Sequence, residues 1–344
     1  EWTYFEGAAW YTRWVDWEAG PAGERVILNI GAANYAALVF LNGIFIGGHR
    51  GGSTPFSLEV SGALRPGRNR LQIMVENRRS AARVPMQHID WFNYGGLYRD
   101  VSLMRLPPVA IRQASAALTA DGTAVRFKVS LDSAASLTGR IRVPALGIDA
   151  ALPIRAGAGE TSVAFTGQFW SPETPVCYEV IVEAGDDRFR DRIGFRTIAT
   201  SGTDIVLNGR KLWLKGVCVH EDDRGLGKVS TEADVRRRFR HLRELGANFA
   251  RLSHYPHHEH VARIADEEGI LLWAEVPVYW AIAFDNPETL GDAENQLSEL
   301  IRRDINRASI ILWGVGNENA DTDARLAFMS RLAHLAKALD PSRL

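Results

Sequence analysis

The sequence predicts a multidomain protein in which two all-β domains precede half of a (β/α)8 barrel. Three observations indicate this: short β-rich runs separated by turns over residues 25–105, period-2 alternation over residues 125–182, and alternating strand and helix patterns beyond residue 200. Short strands with turn signals are typical of sandwiches and barrels, whereas repeated βα units are typical of parallel sheets. With 344 residues, the chain is long enough for two or three domains.

The two β domains are predicted from their turns and their alternation. Asn42-Gly43 separates two apolar runs, and a type I′ turn needs a positive φ at both central positions, which this pair tolerates. The pair therefore predicts a hairpin. Pro107-Pro108 marks a linker to a second series of runs at 125–129, 139–143 and 177–182, whose spacing predicts a β-sandwich of about ninety residues.

Beyond residue 200 the pattern changes to alternating strands and helices. A second pair, Asn208-Gly209, predicts another hairpin, after which Thr231 with Asp234 three residues on predicts a helix start that Gly246 ends. Strands are predicted at 215–220, 248–253, 270–276 and 310–315, and the later helices end at residue 268 or span 295–307 and 322–339. Parallel units of this kind close into a (β/α)8 barrel or form an open doubly wound sheet.

The ends of these strands favour the barrel. No Gly-x-Gly-x-x-Gly motif follows the first strand, and every strand ends in polar residues, which suits an active site at the carboxyl ends of barrel strands. Residues 200–344 are about half of the roughly 250 that a complete barrel takes. We therefore expect about the first half of a barrel in this chain.

The composition excludes several classes of protein. The chain has 40 Lys and Arg against 41 Asp and Glu, a net charge of −1, which provides no field to attract nucleic acid or an anionic membrane. No apolar run approaches the roughly 18 residues of a membrane span, and the first residues show no signal-peptide pattern. The sequence does not determine the cellular compartment of the protein, although it slightly favours the cytoplasm. Cys177 and Cys218 cannot build a disulfide framework and are expected to be core residues.

The strand that ends in Asn317-Glu318-Asn319 carries the clearest chemical signal. It delivers one carboxylate, flanked by two amides, to the expected barrel mouth, where desolvation or a second carboxylate raises the pKa of a general acid. The plain alternative is a loop that caps the next helix. The cluster of His254, His257, His258, Glu259 and His260 allows a metal site, although we expect a solvated helix start there and no bound metal.

Four motifs in order make the chain resemble glycoside hydrolase family 2, which comprises β-galactosidases, β-glucuronidases and β-mannosidases. The motifs are the Asn-Glu pair at 317–318, Arg-Leu-Ser-His-Tyr-Pro at 251–256, Gly-Val-Cys-Val-His-Glu-Asp at 216–222, and Asp-Trp-Phe-Asn-Tyr-Gly-Gly-Leu-Tyr-Arg-Asp-Val at 90–101. The resemblance implies a jelly-roll sugar-binding domain at 1–107, an immunoglobulin-like sandwich at 108–199 and the first half of a catalytic TIM barrel at 200–344.

The resemblance also implies roles for individual residues. Glu318 would be the general acid/base of a retaining exo-β-glycosidase, and Asn317 would bind the sugar hydroxyl beside the anomeric carbon. His254 and Asp90 would line the sugar pocket. His220 and Glu275 would support the site through hydrogen bonds to its other residues. Trp280 could stack on a sugar face or pack at the barrel mouth.

The second carboxylate of a retaining glycosidase is expected from a later barrel strand, so we expect this chain to be an internal piece that is inactive alone. The whole protein is expected to act on β-glucuronides or β-galactosides without a cofactor and to form a homo-oligomer. The motif at 90–96 is nearer to β-glucuronidases. Two alternatives stay open: a carbohydrate-binding or structural relative that has lost its chemistry, and a metal-dependent hydrolase.

Overall fold

The structure, a computed structural model, describes residues 5–344, so most of the stretch in which we find no signal-peptide pattern lies outside the described residues. The first domain contains the strands β1 (Ala8–Trp17), β2 (Arg25–Ile30), β3 (Ala33–Asn34), β4 (Ala36–Leu41), β5 (Ile44–Arg50), β6 (Phe56–Glu59), β7 (Gly67–Glu76), β8 (Gly96–Leu97) and β9 (Val101–Leu106). Two sheets, in the strand orders β1-β7-β4-β5 and β6-β2-β9, bury a common apolar core, and β3 pairs with β8.

The predicted hairpin at Asn42-Gly43 is confirmed. Both residues have a positive φ, 54° and 82°, and β4 pairs with β5 on either side of them. Residues of β4 alternate between the core and the outer face of the sheet. Local turn chemistry and the period-2 pattern are therefore sufficient to form this part of the domain.

The second domain consists of one curled antiparallel sheet. Its strands are β10 (Ile111–Leu118), β11 (Ala124–Leu131), β12 (Leu137–Val143), β13 (Ile148–Arg155), β14 (Ala158–Ala164), β15 (Tyr178–Ala184) and β16 (Asp187–Ile193), with a short 3₁₀ helix at Pro144–Leu146. The order is β10-β11-β14-β13-β12-β15-β16, and the backbone N–H of Ile111 donates to Asp187 Oδ2 at 2.6 Å. The first and last strands thus meet around a buried core that includes Phe127 and Ile141. The immunoglobulin-like and jelly-roll assignments stay predictions.

The third part begins with a small sheet and continues as four βα units. The small sheet contains β17 (Ile198–Ser201), β18 (Asp204–Leu207) and β19 (Arg210–Lys211). The units contain β20 (Gly216–Val219), α1 (Glu232–Glu244), β21 (Phe249–Leu252), α2 (Glu259–Glu268), β22 (Leu271–Glu275), α3 (Pro287–Asp304), β23 (Ile310–Gly314) and α4 (Asp323–Leu339). The four strands are parallel and adjacent in chain order, as expected for a partial TIM barrel region.

Helix signals in the sequence predict three of these four helices well. Thr231 and Asp234 form a reciprocal capping box at α1, and Gly246 follows the helix with a positive φ of 72°. The predicted span 295–307 for α3 is wrong at its start. The side chain of Asn286 accepts from the N–H of Glu288, and Pro287 occupies the first helical position, so this cap and proline begin the helix eight residues earlier.

The expectation that both cysteines are core residues is wrong for Cys218, whereas Cys177 packs against a buried apolar cluster. Cys218 is exposed and Cys177 is only partly buried. Cys218 lies on β20, which is the edge strand of the parallel sheet and has a neighbour on one side. Within residues 5–344, no helix combines the length and the apolar character that crossing a membrane requires.

Candidate active site

The carboxyl ends of the parallel strands gather most of the predicted site residues. Glu275 is the last residue of β22 and pairs with Gly314 of β23. Beyond the strands the pairing continues, because Asn317 N–H donates to Val278 O at 2.9 Å and Trp280 N–H donates to Asn317 O at 3.0 Å. This backbone ladder places the Asn317–Glu318 segment directly beside the segment that follows β22.

Glu275 is the centre of a buried hydrogen-bond network. Its side chain is 1% exposed and accepts from Arg251 Nε at 2.9 Å and from Arg251 Nη2 at 3.2 Å. His254 Nδ1 lies 2.6 Å from Glu275 Oε1. The carboxylate therefore fixes both the arginine and the imidazole. Both of its oxygens already have hydrogen-bond partners within the protein.

Arg251 determines how the amide of Asn317 is oriented. Arg251 Nη2 donates to Asn317 Oδ1 at 2.8 Å, and a guanidinium can only donate, so the oxygen of the amide must face it. Asn317 Nδ2 then points away from the arginine, and among residues 5–344 this buried group has no hydrogen-bond partner. Since buried donors are almost always paired in native proteins, this N–H group is available for an acceptor on a ligand.

Glu318 lies next to this free donor and is itself exposed. Its Oε2 accepts from the indole Nε1 of Trp280 at 2.8 Å. Both residues have a left-handed backbone, with φ of 49° for Glu318 and 52° for Trp280. Non-glycine residues in this region cost of order 1–3 kcal/mol each and cluster at functional sites.

The first domain contributes an aromatic ring and a carboxylate to the same mouth. The ring of Trp91 lies 5.0 Å from Tyr279, 5.3 Å from Tyr255 and 6.1 Å from His254, measured between ring centroids. The pKa of Tyr279 is raised, first by burial and then by a hydrogen bond and the negative charge of its neighbour Asp90. Asp90 therefore reaches the barrel mouth, and its role in lining a sugar pocket stays a prediction.

His220 occupies the edge of this cluster. Its ring centroid is 5.3 Å from that of His254, and its Nδ1 lies 3.5 Å from the hydroxyl of Tyr255, the outer limit of a hydrogen bond. Burial lowers the pKa of His220, and the neighbouring His254 lowers it further. The imidazole is consequently neutral at pH 7 and packs against the rings around it.

A buried cluster, here termed the interdomain anchor and consisting of Ser53, Arg99, Glu221 and Lys228, holds the first domain against the barrel. Arg99 Nη2 donates to Glu221 Oε2 at 3.0 Å and to Pro256 O at 2.9 Å, while its Nη1 donates to Ser53 O at 2.7 Å. Lys228 Nζ donates to Ser53 Oγ at 2.9 Å. The anchor joins the first domain to the loops that follow β20 and β21, which carry His220 and His254.

Burial and the neighbouring charges shift the pKa values of Glu221 and Lys228 in the anchor. Burial alone would raise the pKa of Glu221, but Arg99, His257 and the His258 backbone N–H more than offset it and lower that pKa to about 2. Burial lowers the pKa of Lys228 to about 7 against the opposing pull of Glu221. The anchor is thus an ion pair between Arg99 and Glu221, with a lysine that is easily deprotonated beside it.

His257 and His258, in the histidine cluster after β21, have hydrogen-bond partners within the protein. Among residues 5–344, no group of three or more His, Cys, Asp or Glu side chains is placed to hold a metal ion. His257 is 2% exposed and its Nε2 contacts Ser253 O at 3.0 Å, so the prediction of a solvated helix start is wrong for this residue. His258 caps α2 through its side chain.

Sequence reasoning missed Arg251, Tyr279 and the bond between Trp280 and Glu318. Arg251 interrupts the otherwise apolar strand Phe249–Leu252, and a cation within a buried parallel strand is a signal that a carboxylate lies nearby. Trp280 and Glu318 are 38 residues apart, and no local pattern connects them. Their contact depends on the pairing of two loops.

Comparisons with known proteins find two family models that match this chain. The model "Glycosyl hydrolases family 2, sugar binding domain" matches residues 3–107, and the model "Glycosyl hydrolases family 2, TIM barrel domain" matches residues 198–344. The β-glucuronidase of Paenibacillus borealis is 30% identical over 98% of this chain and 63% of its own length. The β-galactosidase of Arthrobacter sp. (strain B7) is 30% identical over 86% of this chain and 30% of its own length.

Solved structures show the same similarity. A family 2 β-galacturonidase from Eisenbergiella tayi bound to galacturonate superposes with a TM-score of 0.87 at 30% identity, covering 98% of this chain and 63% of that one. The chain thus spans between about a third and two thirds of the length of these relatives. Because two models of one family together match more than two thirds of its residues, the chain belongs to glycoside hydrolase family 2.

Proposed function

We propose that the whole protein is a retaining exo-β-glycosidase that hydrolyses terminal β-linked sugars, with Glu318 as the general acid/base. The observation that carries the proposal is the buried Nδ2 of Asn317, which lies beside an exposed carboxylate and has no partner in the part of the chain that the structure describes. A sugar hydroxyl next to the anomeric carbon would accept from this donor, and the contact would strengthen as the oxocarbenium-like transition state forms. His254 and Asp90 would bind further hydroxyl groups, with His220 and Glu275 in support.

The proposed reaction has two steps. Glu318 first protonates the glycosidic oxygen while a carboxylate nucleophile attacks the anomeric carbon, and the leaving group departs as an alcohol. Glu318, now ionised, then removes a proton from water, which hydrolyses the glycosyl-enzyme intermediate with retained configuration. Glu275 is a poor nucleophile because Arg251 and His254 occupy its oxygens and it is 1% exposed. We assign the nucleophile to a glutamate beyond residue 344.

The relatives support a uronide as the first candidate sugar. Those of Paenibacillus borealis and Homo sapiens are named β-glucuronidases, and one from Arthrobacter is named a β-galactosidase. We therefore propose a β-glucuronide as the preferred substrate and a β-galactoside as the second. In the same proposal, residues 1–107 are a jelly-roll sugar-binding domain, 108–199 an immunoglobulin-like domain and 200–344 the first half of the catalytic barrel.

A panel of nitrophenyl β-glycosides tests the proposal with the whole protein. We expect hydrolysis of the β-glucuronide or the β-galactoside, with a first-formed β-anomer detected by NMR. The variant Asn317→Asp is the matched probe of the free donor, because it keeps the shape of the side chain and removes the amide N–H. It is expected to lose turnover by about 10²-fold or more. Tight sugar binding with no turnover by the wild type would instead indicate an inactive carbohydrate-binding relative.

A further inference from the structure

Trp280 is held in place by hydrogen bonds at its backbone and by a stacked ring. Its backbone N–H donates to Asn317 O at 3.0 Å, and its carbonyl oxygen accepts from Asn319 Nδ2 at 2.7 Å. One side of its ring stacks on Tyr279, with 4.6 Å between the centroids. The residue still keeps 37% of its surface exposed, so these contacts fix the indole without covering it.

We propose that Trp280 is a positioning and specificity-determining residue that selects glycosides with aromatic leaving groups. This inference rests on the proposed function of Glu318. The indole N–H would hold the carboxyl group of Glu318 in the orientation for proton transfer, and the open ring face would receive the leaving group. A tryptophan that was fully buried by packing could not receive the leaving group on its ring.

The distances place the leaving group beside the indole. A general acid must lie about 2.6–3.2 Å from the atom that it protonates, which is the oxygen joining sugar and leaving group. Trp280 Nε1 is 2.8 Å from one oxygen of the same carboxyl group. The first atoms of the leaving group therefore lie within about 8 Å of the indole N–H, a range that includes the 4.5–7 Å at which aromatic rings contact each other.

The hydrogen-bond chemistry separates the two roles. An indole N–H can donate but not accept, so it holds the carboxyl group through an oxygen lone pair and leaves the other oxygen to carry the proton. Removing the N–H while keeping a ring affects the orientation of Glu318. Removing the ring as well affects the contact with the leaving group.

Two variants of the whole protein therefore test the proposal. In Trp280→Phe the ring stays and the N–H is lost, so we expect kcat on a methyl glycoside to fall about tenfold or more, and kcat on a 2,4-dinitrophenyl glycoside to change less than threefold. In Trp280→Leu the ring is lost as well. We expect its KM for a phenyl glycoside to rise about tenfold, and its KM for a hexafluoroisopropyl glycoside, whose leaving group has similar acidity, to rise less than threefold.

A matched control comes from Trp213, which is 70% exposed. Trp213→Leu removes an exposed indole elsewhere and should leave every kinetic constant unchanged. Equal rises in KM for the phenyl and hexafluoroisopropyl glycosides in Trp280→Leu, together with unchanged kcat in Trp280→Phe, would overturn the inference while wild-type turnover upholds the proposed function. If the wild type hydrolyses no glycoside of the panel, the proposed function fails and the inference fails with it.

Discussion

The interdomain anchor makes a quantitative prediction for Glu221→Gln. The Glu221 side chain is 1% exposed and the Arg99 side chain 4% exposed, and the carboxylate also accepts from His258 N–H at 2.7 Å. The substitution leaves the buried guanidinium without its counter-ion. Breaking a buried pair in this way costs about 3–5 kcal/mol of the free energy of unfolding. With a urea m value of about 3 kcal/mol/M, the unfolding midpoint should fall by about 1–1.7 M.

Urea unfolding followed by tryptophan fluorescence measures this shift, and an exposed ion pair provides the control for burial. Arg140 donates two hydrogen bonds to Asp149, at 2.7 Å and 2.5 Å, although both side chains are about half exposed. Asp149→Asn should leave the midpoint unchanged, because solvent screens such a pair. Equal midpoints for Glu221→Gln and Asp149→Asn would refute the reasoning, because burial would then add nothing to the pair.

A second control separates stability from alignment of the site. Asp191 of β16 forms a buried ion pair with Arg307 and a second bond with Arg263 at 2.8 Å, and it joins the second domain to the barrel. Asp191→Asn should therefore destabilise the protein as Glu221→Gln does. Under conditions where both variants are folded, only Glu221→Gln should raise KM, because only its anchor holds the loops that carry His220 and His254.

Four further predictions concern chemistry and pH. Glu318→Gln should lower kcat about 10²–10⁴-fold on glycosides with poor leaving groups and much less on activated aryl glycosides, since a good leaving group needs little protonation; equal losses on both would contradict the acid assignment. Exhaustive chelation should leave the activity of the whole protein intact, because His257 and His258 already have partners in the protein; loss of activity that zinc alone restores would contradict this. Residues 1–344 expressed alone should show no turnover of an activated β-glucuronide, since we place the nucleophile beyond residue 344; turnover with retained configuration would locate a nucleophile within this chain. The free energy of unfolding should rise between pH 7 and about pH 10, because the folded pKa of Lys228, about 7, lies below the ordinary value of 10.5 and the unfolded chain binds the extra proton; Lys228→Met should flatten this rise, and an unchanged slope in that variant would exclude Lys228 as its source.

Local sequence signals predicted the elements of this protein better than its contacts. Asn42-Gly43 and the box formed by Thr231 and Asp234 depend on neighbours within a few residues, so sequence alone is sufficient to predict them. The start of α3 also has a local signal, the cap Asn286 followed by Pro287, which the predicted span 295–307 did not use.

Errors of burial have a different origin. Whether Cys218 is exposed depends on the position of β20 in its sheet, and the burial of His257 depends on the side chains packed around it, such as Tyr255. Tertiary contacts of this kind are invisible to residue periodicity. The same holds for the site, because the pair Asn317-Glu318 is conspicuous in sequence, whereas the role of Arg251 in orienting the amide emerges only from the geometry.

The position of the first domain is part of the chemistry that we propose. Trp91 contacts rings that follow three different barrel strands, those of His220, His254 and Tyr279, so a rotation of the domain would displace the whole mouth. Catalytic groups must be placed to well within about 1 Å. A displacement of about 1 Å caused by a distant substitution can lower the rate about 10²-fold. A barrel alone could carry Glu318 and Asn317, but it would lack the carboxylate of Asp90 and the ring that packs against His254. We therefore expect substitutions at Arg99 to raise KM, even though its guanidinium lies in the anchor and bonds to Ser53, Glu221 and Pro256.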